Sequence, residues 1–190
     1  MHEQELPAAL AVDTDGNFSR LVEIYQDRLY AFALRLSGMP QDAEEILVDA
    51  FVRAYRALGE YSGARIRSLA LKPWLYQITL NVFRNRVRGR RLSLVSIEAE
   101  DALPARRAAG HAASQPDAML EQSQLRQRLA ARIAELPERE RVAVVLRHVQ
   151  GYSYAEIAEL LEQPVGTVKA NVHRGIRRLR EALKVDEDWR

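Results

Sequence analysis

Apolar side chains in this chain return every three to four residues over long stretches, and that period commits most of the chain to helix. Phe18, Leu21, Val22, Tyr25, Leu29, Phe32 and Leu36 form one such series, closed by Gly38 with Pro40 just beyond it. A second helix starts near Pro40 and places Ala43, Ile46, Leu47, Ala50, Phe51, Ala54 and Leu58 on one side, with Gly59 as the expected stop. Residues 60–71, with Ser62, Gly63 and three charged positions, read as a loop. From Lys72 to Arg91 a third helix is expected, with Pro73 tolerated near its first turn because the missing N–H would be unpaired there anyway.

Regularity fades after Arg91. Residues 92–117 hold Ala, Gly, Ser, Pro and scattered charge with no sustained period, the composition of a flexible linker. Helical pattern resumes near Ala118, where Leu120, Leu125, Leu129, Ile133 and Leu136 lead to Pro137. Pro137-Glu-Arg-Glu140 reads as the acid-rich first turn of a helix burying Val142, Val145, Leu146 and Val149 and ended by Gly151. Ser153-Tyr-Ala-Glu156 is a capping box opening a short helix with Ile157, Leu160 and Leu161 inside. After the break Glu162-Gln-Pro-Val-Gly166, a longer helix places Val168, Val172, Ile176, Leu179 and Leu183 on one face. The expected fold is all-α: two small helical domains joined by a flexible linker, the second a helix-turn-helix. The boundaries are an N-terminal tail 1–17, a first domain 18–91, a linker 92–117, a second domain 118–184 and an acidic tail 185–190.

The charge is segregated along the chain. Residues 1–64 carry net −6, 65–91 net +8, 92–163 net −3, 164–184 net +5 and 185–190 net −2, within a total of only +2. Two cationic blocks far apart in sequence on an otherwise acidic body fit two separate contacts with a polyanion. On the third helix Gln77, Asn81, Arg84 and Arg88 recur at helical spacing, apart from Leu75, Ile78 and Val82. Such a stripe can hold phosphates and hydrogen-bond base edges. A charge run is also what an ordinary solvated helix face looks like, and a three-helix packing unit is the plain alternative to the helix-turn-helix. Neither accounts for both cationic blocks.

Several classes of function are excluded or disfavoured. With no cysteine, disulfides, thiolate metal sites and cysteine nucleophiles are ruled out. His2, His111, His148 and His173 have no metal-ligand spacing and no Gly-rich phosphate loop is present, so neither an enzyme, a metal site nor a cofactor is expected. No apolar run approaches the roughly eighteen residues of a membrane span. The first residues are acidic rather than signal-like, so no membrane insertion and a cytoplasmic location are expected.

Four motifs, Asp42-Ala-Glu-Glu-Ile-Leu-Val-Asp-Ala-Phe51, Trp74-Leu-Tyr-Gln-Ile-Thr-Leu-Asn81, Leu136-Pro-Glu-Arg-Glu-Arg141 and Pro164-Val-Gly-Thr-Val-Lys169, resemble the region-two and region-four signatures of bacterial extracytoplasmic-function sigma factors. The resemblance covers about Phe18–Arg91 and Gln122–Leu183. It implies a subunit that docks on core RNA polymerase, captures an unpaired minus-10 base with the first domain and reads the minus-35 duplex with the second. The linker would run toward the RNA exit path, and an anti-sigma partner would hold the factor inactive. By the same resemblance Asn81 lies at the flipped-base pocket. Arg84, Arg88 and Arg91 then bind backbone phosphate, Asn85 joins the minus-10 contacts, and Arg65 and Arg67 line the single-strand path. Trp74 reads more as a core residue than as a stacking platform.

Core polymerase is expected on the solvent side of the Pro40–Leu58 helix, at Asp42, Glu45, Val48, Asp49, Val52 and Arg56. Val48 stands where the family commonly has Gln. Duplex DNA is expected at Thr167, Lys169, Ala170, Asn171, Arg174, Arg177 and Arg178, with the first two turns reaching bases and Arg177 and Arg178 holding phosphate. Glu162 stands where Gly is usual, so a different turn geometry is expected, and Ala170-Asn171 replaces the usual Ser-Arg, so a non-standard promoter is expected. The main alternative is a LuxR-type helix-turn-helix regulator. It shares the Glu-Ile-Ala and Thr-Val-Lys pattern, but has no use for Asp42–Phe51 or Trp74–Asn81. A pure protein adaptor would need neither cationic block.

Overall fold

The computed structural model describes residues 3–96 and 128–187, and among these there is no β-strand. A 3-10 turn over Glu3–Glu5 leads into α1 (Leu6–Val12), followed by α2 (Thr14–Ser37), α3 (Pro40–Glu60), α4 (Gly63–Arg67) and α5 (Leu71–Ser96). Further on come α6 (128–135), α7 (Glu138–Val144) continued by a π turn (Val145–Val149), α8 (Tyr154–Leu161) and α9 (Val165–Glu187). These elements make two compact units. The first holds α1, α2 as far as Leu34 and α3 to α5; the second is built on α6 to α9.

In the first unit the apolar period of α2 and α3 becomes the core. Leu21, Tyr25, Leu29 and Phe32 are buried from α2, and Ala43, Ile46, Ala50, Phe51, Ala54 and Leu58 from α3. Phe32 lies against the Tyr76 ring at 4.8 Å, and Phe18 meets Phe51 edge-on at 6.4 Å. Along α5 the buried set is wider than the expected face, since Leu75, Tyr76, Thr79, Leu80, Val82 and Phe83 are all inside. Ile78 is only half-buried. Thr79 satisfies its hydroxyl locally by donating to the Leu75 carbonyl at 2.8 Å, which makes its burial tolerable.

Three sequence expectations change here. The segment before Phe18 is folded: Leu6 and Leu10 are 0% and 1% exposed, and each such side chain contributes about 1.5–3 kcal/mol by leaving water. Two buried leucines in a seven-residue helix are too short a series to register as a period, so the sequence alone gives a tail. The chain turns at Asp13, whose carboxylate accepts from the Gly16 N–H at 2.9 Å, while the Asn17 amide donates to the Ala9 carbonyl at 3.2 Å and the Asp13 carbonyl at 2.8 Å. Secondly, the loop 60–71 contains α4, with Ser62 as N-cap accepting from the Arg65 N–H at 3.3 Å and Ile66 buried beneath. Here α1 approaches so closely that a Cβ on Gly63 would lie 3.2 Å from the Ala11 carbonyl oxygen. Thirdly, Gly59 does not stop α3, which runs on to Glu60.

The second unit packs α7 against α9, with α8 against both α9 and the π turn. Gly175 permits the α7–α9 approach: a Cβ there would lie 2.6 Å from Val144 Cγ2 and 3.4 Å from the Glu140 carbonyl oxygen. Gly151 follows the π turn at φ +76°, a left-handed conformation that suits glycine. The capping box is present as expected: Ser153 N–H donates to Glu156 Oε2 at 2.7 Å and Glu156 N–H to Ser153 Oγ at 3.2 Å. Helix α8 ends at Glu162, φ 52° and ψ 47°, the left-handed C-cap more often filled by glycine. Leu129 and Val149, expected inside, are 39% and 38% exposed, and Ile176 and Leu183 are half-buried. The expected linker and the start of the second helical series fall mostly on 97–127, outside the described residues. Of the acidic tail, Asp186 and Glu187 continue α9.

Candidate nucleic-acid and polymerase interfaces

On α5 the inward residues leave Asn81, Asn85 and Arg88 exposed on one line, spaced by four and three positions, with Gln77 and Arg84 half-buried beside them. The side chain of Arg91 lies outside the described residues. Arg86, which the stripe does not include, leans the other way and pairs with Glu45 and with Asp49, the latter at 3.6 Å. The exposed face of α5 thus joins amides with guanidiniums, a donor and acceptor set suited to bases beside a phosphate line.

The start of α5 carries an arrangement that sequence reasoning missed. The Arg65 guanidinium carbon sits 3.6 Å over the Tyr61 ring, and Tyr61 in turn lies 6.2 Å from the Trp74 ring at 54°. Arg65 is exposed, while Tyr61 and Trp74 are half-buried. Trp74 is thus neither a sealed core residue nor a bare platform. The legible signal was two aromatics bracketing a basic, glycine-containing segment; their meeting depends on α4 folding. Arg67 is exposed on the same short helix.

On α3, Val48 and Val52 are 61% and 42% exposed, as expected, and Tyr55 extends the line by one further turn at 43%. Sequence reasoning passed over Tyr55. Its hydroxyl donates to Asp15 Oδ1 at 2.7 Å and its ring meets Phe18 edge-on at 5.0 Å, so a large apolar surface is held still at the protein–water boundary. The hydrogen bond to Asp15 raises the Tyr55 pKa. Glu45, Asp49 and Arg56 are exposed on this helix. Asp42 departs from expectation: it is 6% exposed, because position 42 lies one turn before Ile46 and shares its inward face.

The exposed residues of α9 include Thr167, Lys169, Ala170, His173, Arg174, Arg177 and Arg178. Asn171, expected to meet bases, is 3% exposed. It lies at the edge of the apolar face, three residues after Val168 and four before Gly175, and is covered where α9 packs closely on α7. Its Oδ1 accepts from Arg174 Nη2 at 2.6 Å. The buried Glu140 of α7 faces Arg178 Nε at 3.0 Å and Arg174 Nε at 3.6 Å. Arg178, expected on phosphate, therefore already has an ionic partner. Beside the exposed set, Arg147 and Lys169 approach the Tyr154 ring at 4.8 Å and 5.8 Å, and a shallow cleft is flanked by His148, Tyr154, His173 and Arg180. Among the described residues no group of three or more His, Asp or Glu could hold a metal, and no helix is long and apolar enough to cross a membrane.

These surfaces define a two-unit, all-helical protein with an amide-and-arginine face on one unit and a helix-turn-helix on the other. Residues 21–92 match the family model for sigma-70 region 2, and residues 126–179 match the one for sigma-70 region 4. The chain is 34% identical to the RNA polymerase sigma-H factor of Pseudomonas aeruginosa, over 88% of this chain and 86% of that protein. It is 31% identical to the ECF RNA polymerase sigma factor SigW of Bacillus subtilis, over 88% and 89%. With the ECF sigma factor SigE of Mycolicibacterium smegmatis it shares 34% identity over 88% of this chain, spanning 62% of that longer protein. The solved sigma factor RpoE of Bartonella quintana, in complex with the anti-sigma factor NepR, matches with a TM-score of 0.67 at 25% identity, covering 89% of this chain and 98% of that one. The chain belongs to the extracytoplasmic-function RNA polymerase sigma factors, and its function is promoter-directed initiation of transcription with RNA polymerase. The match to region 2 gives a role to Asp42–Phe51 and Trp74–Asn81, which the LuxR-type alternative left without one.

Proposed function

We propose that the first unit takes the melted minus-10 strand along Arg65, Arg67, Asn81, Arg84, Asn85, Arg88 and Arg91, with Asn81 meeting a base that has left the stack. The second unit reads the minus-35 duplex with Thr167, Lys169, Ala170, Arg174 and Arg177. Core polymerase docks on α3 along Val48, Val52 and Tyr55, framed by Glu45, Asp49 and Arg56. The observation that carries this reading is the pairing, within one small unit, of an exposed apolar line on α3 with an exposed amide and cationic line on α5. An isolated exposed valine is ordinary, whereas three large apolar side chains at successive turns make a partner surface. An anti-sigma partner of this chain would act by covering such a surface, as suits a protein similar to the RpoE bound by NepR. The chain acts in the cytoplasm as a binding subunit, with no catalytic residues of its own.

The test is reconstitution of the purified chain with core polymerase on a genomic promoter library. Specific start sites that core alone does not use are expected. Binding of duplex DNA by the free chain, with no change in the start sites of core, would overturn the reading.

A further inference from the structure

Asn171 presents a contradiction for direct readout: it sits within the first two turns of the recognition helix, yet its side chain is closed off from solvent and so from a base edge. A buried amide must have partners, and Oδ1 has one in Arg174 Nη2 at 2.6 Å, three residues later on the same helix. At the same edge of that guanidinium stands Glu140, 8% exposed in its side chain, with Oε1 at 3.6 Å from Arg174 Nε. Arg174 itself is half exposed. Its head is therefore held at one edge by an amide and a carboxylate anchored in the packed α7–α9 seam. A guanidinium has five N–H donors, so two engaged groups still leave the bidentate fork that a guanine O6 and N7 require.

We infer that Asn171 and Glu140 are positioning residues that hold the Arg174 guanidinium for base readout, and that Asn171 sets minus-35 specificity through Arg174 rather than by touching DNA. This rests on Arg174 reading a base pair, as proposed above. An arginine held before binding loses less freedom on meeting its base and tolerates fewer wrong geometries, so the effect falls on discrimination more than on affinity.

The experiment uses holoenzyme assembled from core polymerase and the full chain, selecting on a randomised minus-35 library, with thermal melting of each free variant alongside. Arg174→Ala identifies the base pair that Arg174 reads. Asn171→Leu and Asn171→Ala, which cannot accept from Arg174, are expected to lose about tenfold discrimination at that same base pair, with other positions retained. Asn171→Asp keeps an acceptor and is expected to retain the parental preference. Using both apolar variants guards against one that fails to fold. A parental profile in a folded Asn171→Leu or Asn171→Ala holoenzyme, while Arg174→Ala is altered, overturns the inference and leaves the docking of α9 intact. Loss at a different base pair from Arg174→Ala would mean that Asn171 touches DNA itself, which also overturns it. An unchanged profile for Arg174→Ala would remove Arg174 from base readout, and the inference with it.

Discussion

Arg86, on the helix that carries the amide stripe, is ion-paired across to Asp49 on α3 at 3.6 Å and to Glu45 on the same helix. The proposed DNA helix and the proposed polymerase helix are thus tied by charge as well as by their buried apolar faces. Both carboxylates are about half exposed, and such pairs contribute about 0.2–1 kcal/mol. Glu45→Gln is accordingly expected to change thermal stability little. The docking energy is assigned instead to the apolar line.

Val48→Lys combined with Val52→Lys is expected to weaken core polymerase binding at least tenfold, with helical content and melting unchanged, because both side chains already face water. Surface substitutions of this kind stay within about 0.5 kcal/mol in stability. Fluorescence titration against core polymerase checks it; parental affinity in a folded double variant would take this face out of the interface.

Asn81→Ala is expected to impair promoter opening more than duplex binding. Unstacking a base costs a few kcal/mol, so one lost hydrogen bond to the captured base shifts the balance by about 1 kcal/mol, roughly fivefold. The comparison is between double-stranded and premelted minus-10 probes. Equal binding of the premelted probe by variant and parent would count against the assignment.

Glu162 holds a left-handed C-cap at φ 52°. Glu162→Gly relieves that conformation but adds freedom to the unfolded chain, so the net gain expected is about 0.5–1 kcal/mol. Denaturant unfolding followed by circular dichroism measures it. Loss of stability would show that the Glu162 side chain contributes more than its backbone costs.

Gly175→Ala is expected to destabilise the second unit by about 1–3 kcal/mol, because the new methyl would press on Val144 and Glu140 in a packed seam. Weaker minus-35 binding should accompany it, since the same seam holds Arg174. A variant as stable as the parent would mean that α7 and α9 can separate freely.

Glu3 accepts from the Tyr25 hydroxyl at 2.8 Å and from Arg28 at 3.0 Å, and these two bonds hold its carboxyl below the usual glutamate value of 4.5. A carboxyl depressed on folding adds stability above its unfolded pKa and loses it as pH falls through the folded value. The N-terminal turn should therefore loosen only below about pH 4.5, and Glu3→Gln should abolish that acid-side step. Hydrogen exchange of residues 3–12 against pH gives the answer; an identical acid profile in Glu3→Gln would assign the step to another group.

The long amphipathic series, the capping box at Ser153 and the two cationic blocks were all legible in the sequence, because each depends on spacing of three or four residues within one helix. So was the exposure of Val48 and Val52, which follows from the angular position of Ile46 and Ala50. What the sequence could not determine were contacts made across elements. Leu6 and Leu10 form a core only because α4 lies over them, and Arg86 turns toward α3 only because Glu45 and Asp49 come within its reach there. Asn171 is the sharpest case. A helical wheel puts it at the edge of the exposed face, and only the closeness of α7 and α9 at Gly175 decides that it is covered. Periodicity is local and survives in the letters, whereas the distance between two helices is set by the side chains of both and exists only once they pack.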